Sequence, residues 1–183
     1  MGNREDLLTG ARACLFDKGY ARTTVRDIAA AAGVSMAAIG YHFGTKEALL
    51  TEALAEATRE WGAELAAALA RVPDSSTDPW QRFADRWDAA LATVATHHGL
   101  WSATFEALAH PDVRAQLAGN LEEARAGLAA LFDGVDENDT RGSGALYQAL
   151  LTGLAAQYLI DPASAPSGKD LAGSLRRITG DTA

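Results

Sequence analysis

The sequence predicts an all-α protein in two parts, an N-terminal three-helix, helix-turn-helix domain followed by a C-terminal helical bundle. Three observations carry that expectation. Apolar residues recur at i, i+3, i+4 and i+7 along most of the chain. Alternation never runs far and β-branched residues do not cluster, so no strand is expected. The Ala-rich composition favours helix, and 183 residues that are 48% hydrophobic are enough to bury a real core.

Leu8, Ala11 and Leu15 mark a first helix, closed by Gly19-Tyr20. Thr24 can cap the next, because its hydroxyl can accept from an unpaired amide of the first turn. Val25, Ile28, Ala29 and Ala32 then line one face, and Gly33 supplies the left-handed residue that ends it. Val34 packs the turn, Ser35 caps a second short helix, and Ile39 and Phe43 turn inward. Two helices held at a steep angle by a three-residue turn form a helix-turn-helix, whose second member is presented to a DNA major groove. Thr45 caps the next helix, with Glu47 in its first turn where the helix dipole favours an anion.

Leu50, Leu54, Ala57, Trp61 and Leu65 give a long helix up to about Arg71. Residues 72–79 form a loop, with Asp78 capping and Pro79 at the first helical position. Trp80, Phe83, Trp87, Leu91 and Val94 make one stripe, ending near His97-His98-Gly99. A short helix carries Trp101, Phe105 and Leu108 and stops at Pro111. Val113, Leu117, Leu121, Ala124, Leu128 and Leu131 read as one further helix, and Asp133 to Gly144 as a connection. Leu146, Leu150, Gly153, Leu154, Gln157 and Tyr158 form another, stopped by Asp161-Pro162, and Leu171, Leu175 and Ile178 the last.

The net charge of −8 divides unevenly. Residues 1–50 hold six basic residues, Arg4, Arg12, Lys18, Arg22, Arg26 and Lys46, against five acidic ones, so the acidic excess lies beyond residue 50. Basic residues of a nearly neutral domain are expected to face DNA while an acidic body points away. A lone Cys14 cannot form an internal disulfide and reads as a small core residue rather than a thiol sensor. The first 20 residues are charged and amphipathic, unlike a secretory signal. The longest apolar stretch, Ala145 to Ile160, is too short to span a bilayer and is interrupted by Gln148, Thr152 and Gln157. A cytoplasmic protein without membrane association is expected.

An enzyme or metal protein is the alternative. His97, His98, Glu106 and His110, with Asp112 nearby, are the local cluster of donor side chains, and Glu106 and His110 can share a helix face. Against it, the adjacent histidines point in different directions, and there is no HExxH spacing, nucleophile motif or Gly-rich phosphate loop. Surface histidines at helix ends are the simpler reading, so neither enzyme activity nor a cofactor is expected. A protein–protein adaptor with a vestigial DNA module is a third class that the residues leave open.

The string from Cys14 to Leu50 resembles the DNA-binding domain of the TetR (tetracycline-repressor-like) family. Gly19-Tyr20, Thr23-Thr24, Asp27-Ile28-Ala29, Ala32-Gly33-Val34-Ser35, Ile39, Tyr41-His42-Phe43 and Lys46-Glu47-Ala48-Leu49 carry the likeness, in register over some 35 positions. The resemblance implies a DNA-binding domain over residues 1–47 and an effector-binding and dimerisation domain over 48–183. It also implies a homodimeric transcriptional regulator on a palindromic operator, a repressor released by a small apolar or amphipathic molecule.

Residue assignments rest on the resemblance and on helix geometry together. Tyr41, His42 and Lys46 match positions that in the family touch the sugar–phosphate backbone. Geometry puts Thr24 and Arg26 within reach of phosphate, and Arg26 near a guanine edge. Ser35, Met36, Ala37, Ala38 and Gly40 complete the recognition helix. None of Met36, Ala37 and Ala38 can form bidentate base contacts, so reading is expected to rest on thymine methyls, Arg26 and DNA shape. Trp61, Trp80, Phe83, Trp87, Trp101 and Phe105 form an aromatic stripe that is either plain core or the walls of an effector pocket, with Gln148 and Gln157 as polar contacts. The helix from Ala145 to Ile160 is apolar around most of its circumference, which suits either a central core helix or a two-fold interface. The resemblance favours the interface, assigned to Leu150, Leu154, Tyr158, Leu171, Leu175 and Ile178.

Overall fold

The computed structural model describes residues 3–73, 78–133 and 140–181. Much of the two expected connections, 72–79 and 133–144, lies outside these. Among the described residues there are ten helices and no strand: α1 (Asn3–Lys18), α2 (Val25–Ala32), α3 (Met36–Phe43), α4 (Lys46–Ala70), α5 (Pro79–Thr96), α6 (His98–Ala107), α7 (Pro111–Gly119), α8 (Leu121–Asp133), α9 (Thr140–Ile160) and α10 (Gly168–Thr179). None of them is long and apolar enough to cross a membrane.

The helices gather into two compact units. One comprises residues 1–61 and 99–118, the other 62–98 and 119–183. The first unit continues past residue 47. The core of the first reaches into α4 through Leu49, Leu50, Ala53 and Leu54, all at most 3% exposed. It also recruits α6, whose Glu106 accepts from the Tyr20 amide at 2.8 Å and the Ala21 amide at 3.0 Å. Two amides of the loop after α1 are thereby satisfied by a carboxylate 85 residues away, a charge-assisted pair of bonds.

Two element boundaries differ from expectation. The helix expected through Val113 and Leu131 is two, α7 and α8, parted at Asn120. Gly119 is a weak helix former there, and the Asn120 carbonyl accepts from the Ala124 amide at 3.0 Å to open α8. Conversely, α9 begins at Thr140, earlier than the Gly-rich sequence suggests. A Cβ on Gly144 would stand 2.2 Å from the Arg125 carbonyl oxygen, so this glycine lets the backbones of α8 and α9 meet.

In the second unit α8 packs on α9, and α5 packs on both α9 and α10. The start of α10 is pinned to α5: the Gly168 amide donates to Asp88 Oδ1 at 2.6 Å, and a Cβ there would stand 2.0 Å from the Ala84 carbonyl oxygen. Ser167 and Asp170 form a capping box that starts the helix. Along α9, Leu151, Leu154 and Ala155 are buried within the single chain. Leu154 is therefore a core residue, which corrects its assignment to an interface. The outward stripe is Leu146, Leu150, Gly153, Gln157 and Ile160, stepping by 4, 3, 4, 3 residues, with Leu146 52% and Ile160 83% exposed. On α10 Ile178 is 79% exposed, with Leu171 and Leu175 half-buried.

Candidate nucleic-acid interface and ring-lined cavity

The start of α2 is fixed by its own sequence. Thr24 has an extended backbone, its hydroxyl oxygen accepts from the Asp27 amide, and Asp27 Oδ2 accepts from the Thr24 amide at 3.0 Å and hydroxyl at 2.6 Å. This is a capping box with Asp in the usual Glu or Gln position. The Lys18 ammonium lies 2.6 Å from Asp27 Oδ1, and it, then the Thr24 hydroxyl and amide, hold the Asp27 carboxyl well below the usual carboxylate range. At the other end Gly33 is left-handed at φ 67°, with its amide bonded to Ala30 and that of Val34 to Ala29 at 3.1 Å. That paired closure ends α2 and aims the chain into α3.

Thr23, beneath the cap, is fully buried and donates to the Gly19 carbonyl at 2.7 Å. Ile39, 3% exposed, anchors α3, and Phe43 is half-buried under the Arg4 guanidinium, 5.1 Å from its ring centre. Ser35 stands at the N-cap but its hydroxyl makes no capping bond, contrary to expectation. The Ala38 amide bonds instead to the Ser35 carbonyl at 3.0 Å, which leaves the hydroxyl outside the helix. Thr45 does cap α4, accepting from the Ala48 amide at 3.0 Å.

Opposite Ile39, α3 presents a continuous exposed face of Ser35, Met36, Ala37, Gly40 and Tyr41, with Ala38 and His42 half-buried at its edges. Tyr41 is 86% exposed, its ring edge-on to His42. Thr24 and Arg26 are exposed beside that face. Three of the basic residues expected to face DNA are held in ion pairs. Arg4 pairs with Glu52, Arg12 with Glu60 and Lys18 with Asp27. Lys46 is mostly buried and donates to the Thr23 carbonyl at 3.1 Å, clamping the start of α4 to the loop before α2. Arg22 and Arg26 are exposed, and neither forms an ion pair among the described residues.

The aromatic stripe divides into two ring groups, one in each unit. In the first, Trp61 meets Trp101 edge-on at 5.1 Å, with Phe105 6.1 Å from Trp101. In the second, Trp87 is fully buried and stacks on Phe132 at 4.8 Å, and Phe132 stacks on Tyr147 at 4.9 Å. Phe83 lies 6.0 Å from Trp87 and 6.3 Å from Trp80, whose indole N–H donates to Asp181. A cavity of about 210 Å³ opens here, lined by Pro79, Arg82, Phe83, Arg86, Phe132 and Tyr147. Of the residues expected to contact a ligand, only Phe83 lines it. Trp87 is core behind the wall, Gln148 accepts from Arg125 Nε at 2.9 Å, and Gln157 is exposed on the outward stripe of α9. Phe132, Tyr147 and the two arginines escaped the sequence reading. The available signal was an aromatic residue on each of two consecutive helices, near the connection between them.

The donors of the alternative metal cluster are otherwise engaged. Glu106 holds the Tyr20 and Ala21 amides, His110 packs against the Tyr20 ring at 4.4 Å, and His97 Nε2 is 2.7 Å from Glu64.

Residues 7–53, which span α1, α2, α3 and the start of α4, match the family model of bacterial regulatory proteins, tetR family. The chain is similar to the HTH-type transcriptional repressor KstR2 of Mycobacterium tuberculosis, 33% identical over 95 residues, which are 52% of this chain and 46% of that protein. It is also similar to the HTH-type transcriptional repressor Rv1474c of the same organism, 31% identical over 122 residues, 67% of this chain and 49% of the relative. The chain thus spans about half the length of the curated relatives it matches. A solved transcriptional regulator from Rhodococcus sp. Rha1 superposes with a TM-score of 0.64 at 26% identity, over 97% of this chain and 94% of that one.

Proposed function

For a chain whose N-terminal domain belongs to the tetR family of bacterial regulatory proteins, we propose the role of a transcriptional repressor that binds a palindromic operator as a homodimer. A small molecule taken up by the second unit releases it. The protein acts in the cytoplasm and is not an enzyme. The observation that carries this reading is the exposed face of α3, held outward by buried Ile39 and by the double closure at Gly33. That face suits a major groove: small Ala37 and Gly40 permit close approach, Tyr41 and the uncommitted Ser35 hydroxyl reach phosphate, and Arg26 reaches phosphate or a guanine edge. Thr24, Met36, Ala38 and His42 border the contact. Lys46 acts by holding the loop before α2 as much as by its charge. The second copy packs on the outward stripes of α9 and α10, through Leu146, Leu150, Ile160 and Ile178, flanked by Tyr158, Leu171 and Leu175. A two-fold dimer sets two recognition helices on two half-sites.

The test is duplex binding over a range of salt. Arg26→Ala should lower the slope of log K against log salt by about one per subunit. Tyr41→Ala should weaken binding to every duplex about equally, because phosphate contacts carry no sequence information. Wild-type affinity in both variants at every salt concentration would remove α3 from the DNA.

A further inference from the structure

We infer that the cavity at the N-terminal end of α5 takes an organic anion of one-ring size, an aromatic carboxylate, and that Arg86 holds its charge. The inference rests on the reading of the second unit as an effector-binding body and names the chemical class of the effector.

Size comes first. A cavity of about 150 Å³ accommodates a benzene ring, and the 210 Å³ here leave room for one ring and a small polar group. A larger groove of about 530 Å³ lies beside α5; it is lined by four alanines with Glu64, Arg71, Thr93 and Thr96, has no aromatic wall, and lies more open to solvent.

The walls decide the shape. Phe132 and Tyr147 lie nearly parallel, 29° apart, and Trp87 backs Phe132 at 25°. Phe83 closes another side. Aromatic lining favours an aromatic guest over a branched aliphatic one, since ring–ring contact adds to the burial of apolar area.

The charge decides the class. Arg86 lines the cavity and brings a guanidinium to its wall. One of its terminal nitrogens donates to the Leu131 carbonyl, a neutral acceptor, and no carboxylate pairs with it among the described residues. Its Nε is buried, with no hydrogen-bond partner among the described residues. A guanidinium at a cavity wall favours an anion, and a carboxylate supplies an acceptor and the countercharge together. Among the described residues that line the cavity, none is acidic. A neutral ring would leave the guanidinium unanswered, and a ring bearing an ammonium would be repelled.

The test uses the full chain and three probes with the same ring and similar reach: phenylacetate, 2-phenylethanol and 2-phenylethylamine, titrated by calorimetry. A charge-assisted contact predicts phenylacetate tighter than the alcohol by roughly tenfold or more, with no measurable binding of the amine. Arg86→Met should bind phenylacetate no better than the alcohol, and Arg86→Lys, which keeps the charge but loses the planar fork, should fall between. If Arg86→Met fails to fold, the wild-type ranking of the three probes still decides. Equal affinity for alcohol and carboxylate, binding of the amine, no binding of any probe, or an unchanged preference in Arg86→Met would each overturn the inference. Adding operator duplex separates the two readings. Phenylacetate that binds but does not release DNA supports the anion site and removes the release mechanism. Release by a neutral compound, with phenylacetate inert, does the reverse.

Discussion

The α2–turn–α3 segment and the ring group of the second unit hold their shape by opposite means. In the first, each boundary is set by a residue within three positions of it: Thr24 and Asp27 at the start, Gly33 and Val34 at the turn, Gly44 at the end. In the second, Trp87, Phe132 and Tyr147 come from three helices and meet only because α5, α8 and α9 pack together. Local hydrogen bonding survives a disturbed core, whereas stacked rings do not survive a displaced helix. The DNA-reading part is thus specified by short-range chemistry, and the part proposed to sense a ligand by long-range packing. A cavity bounded by packed helices can change shape when filled, as a switch between two states requires.

Substitutions can break that contrast, and the largest effect is expected at Trp87. The ring is fully buried and stacked, so Trp87→Ala should cost about 3–5 kcal/mol of stability. Denaturant titration measures the loss, and far-UV circular dichroism of the surviving fold should still report helix. A cost below about 1 kcal/mol would mean that the ring group is not a packed core. Gly168→Ala comes next. Its Cβ would meet the backbone carbonyl of Ala84, which cannot move aside as a flexible side chain can. The start of α10 must then lift from α5, at about 1–3 kcal/mol, and the Asp88 bond to the Gly168 amide should weaken with it. A melting temperature equal to wild type would show that α10 does not rely on this close approach.

The same contrast explains what the sequence disclosed. Helix periods, the caps at Thr24, Thr45 and Asp78 and the closure at Gly33 are short-range and were legible. So was the outward face of α3, since Ile39 fixes which side is buried. Two failures in the first unit are instructive. Residue type placed Ser35 at a cap, but the Ala38 amide bonds to its carbonyl instead. Counting charges made Arg4, Arg12 and Lys18 available to DNA, although their partners Glu52, Glu60 and Asp27 lie up to 48 residues away. In the second unit the aromatic residues were legible as a stripe, but a stripe does not say which ring is wall and which is filler. Phe132 and Tyr147 became visible only once α8 and α9 were packed together. Nothing local marks Glu106 as the partner of the Tyr20 and Ala21 amides, and its proximity to His110 in sequence suggested a metal site instead. Leu154 shows the remaining limit: on a helix apolar nearly all round, periodicity cannot separate the face that meets the chain's own core from the face left over.

The smallest expected effects sharpen the local side of the comparison. Thr24→Ala removes the hydroxyl that accepts from the Asp27 amide and should cost about 1 kcal/mol. Its cap also depends on pH through Asp27. The Asp27 carboxyl is held below its ordinary value by Lys18 and then by Thr24, so its folded pKa lies below that of the unfolded chain. Such a group contributes stability that is fully present above the unfolded value, about 3.9, and is lost as pH falls through the folded one. Lys18 has the complementary sign: its pKa is raised, chiefly by the bond to Asp27, so its share is present below the ordinary lysine range and lost as pH climbs beyond it. The pair therefore predicts a plateau. The difference in denaturation midpoint between wild type and Asp27→Asn should be flat from about pH 5 to pH 9 and close as pH falls below about 4. Because Asp27 and Lys18 sit at the water-exposed edge of the cap, added salt should shrink the plateau without shifting its acidic limb much. A difference that persists undiminished at about pH 2, well below the ordinary carboxylate range, would show that Asn fails there for shape rather than charge. The start of α2 would then be held by geometry alone.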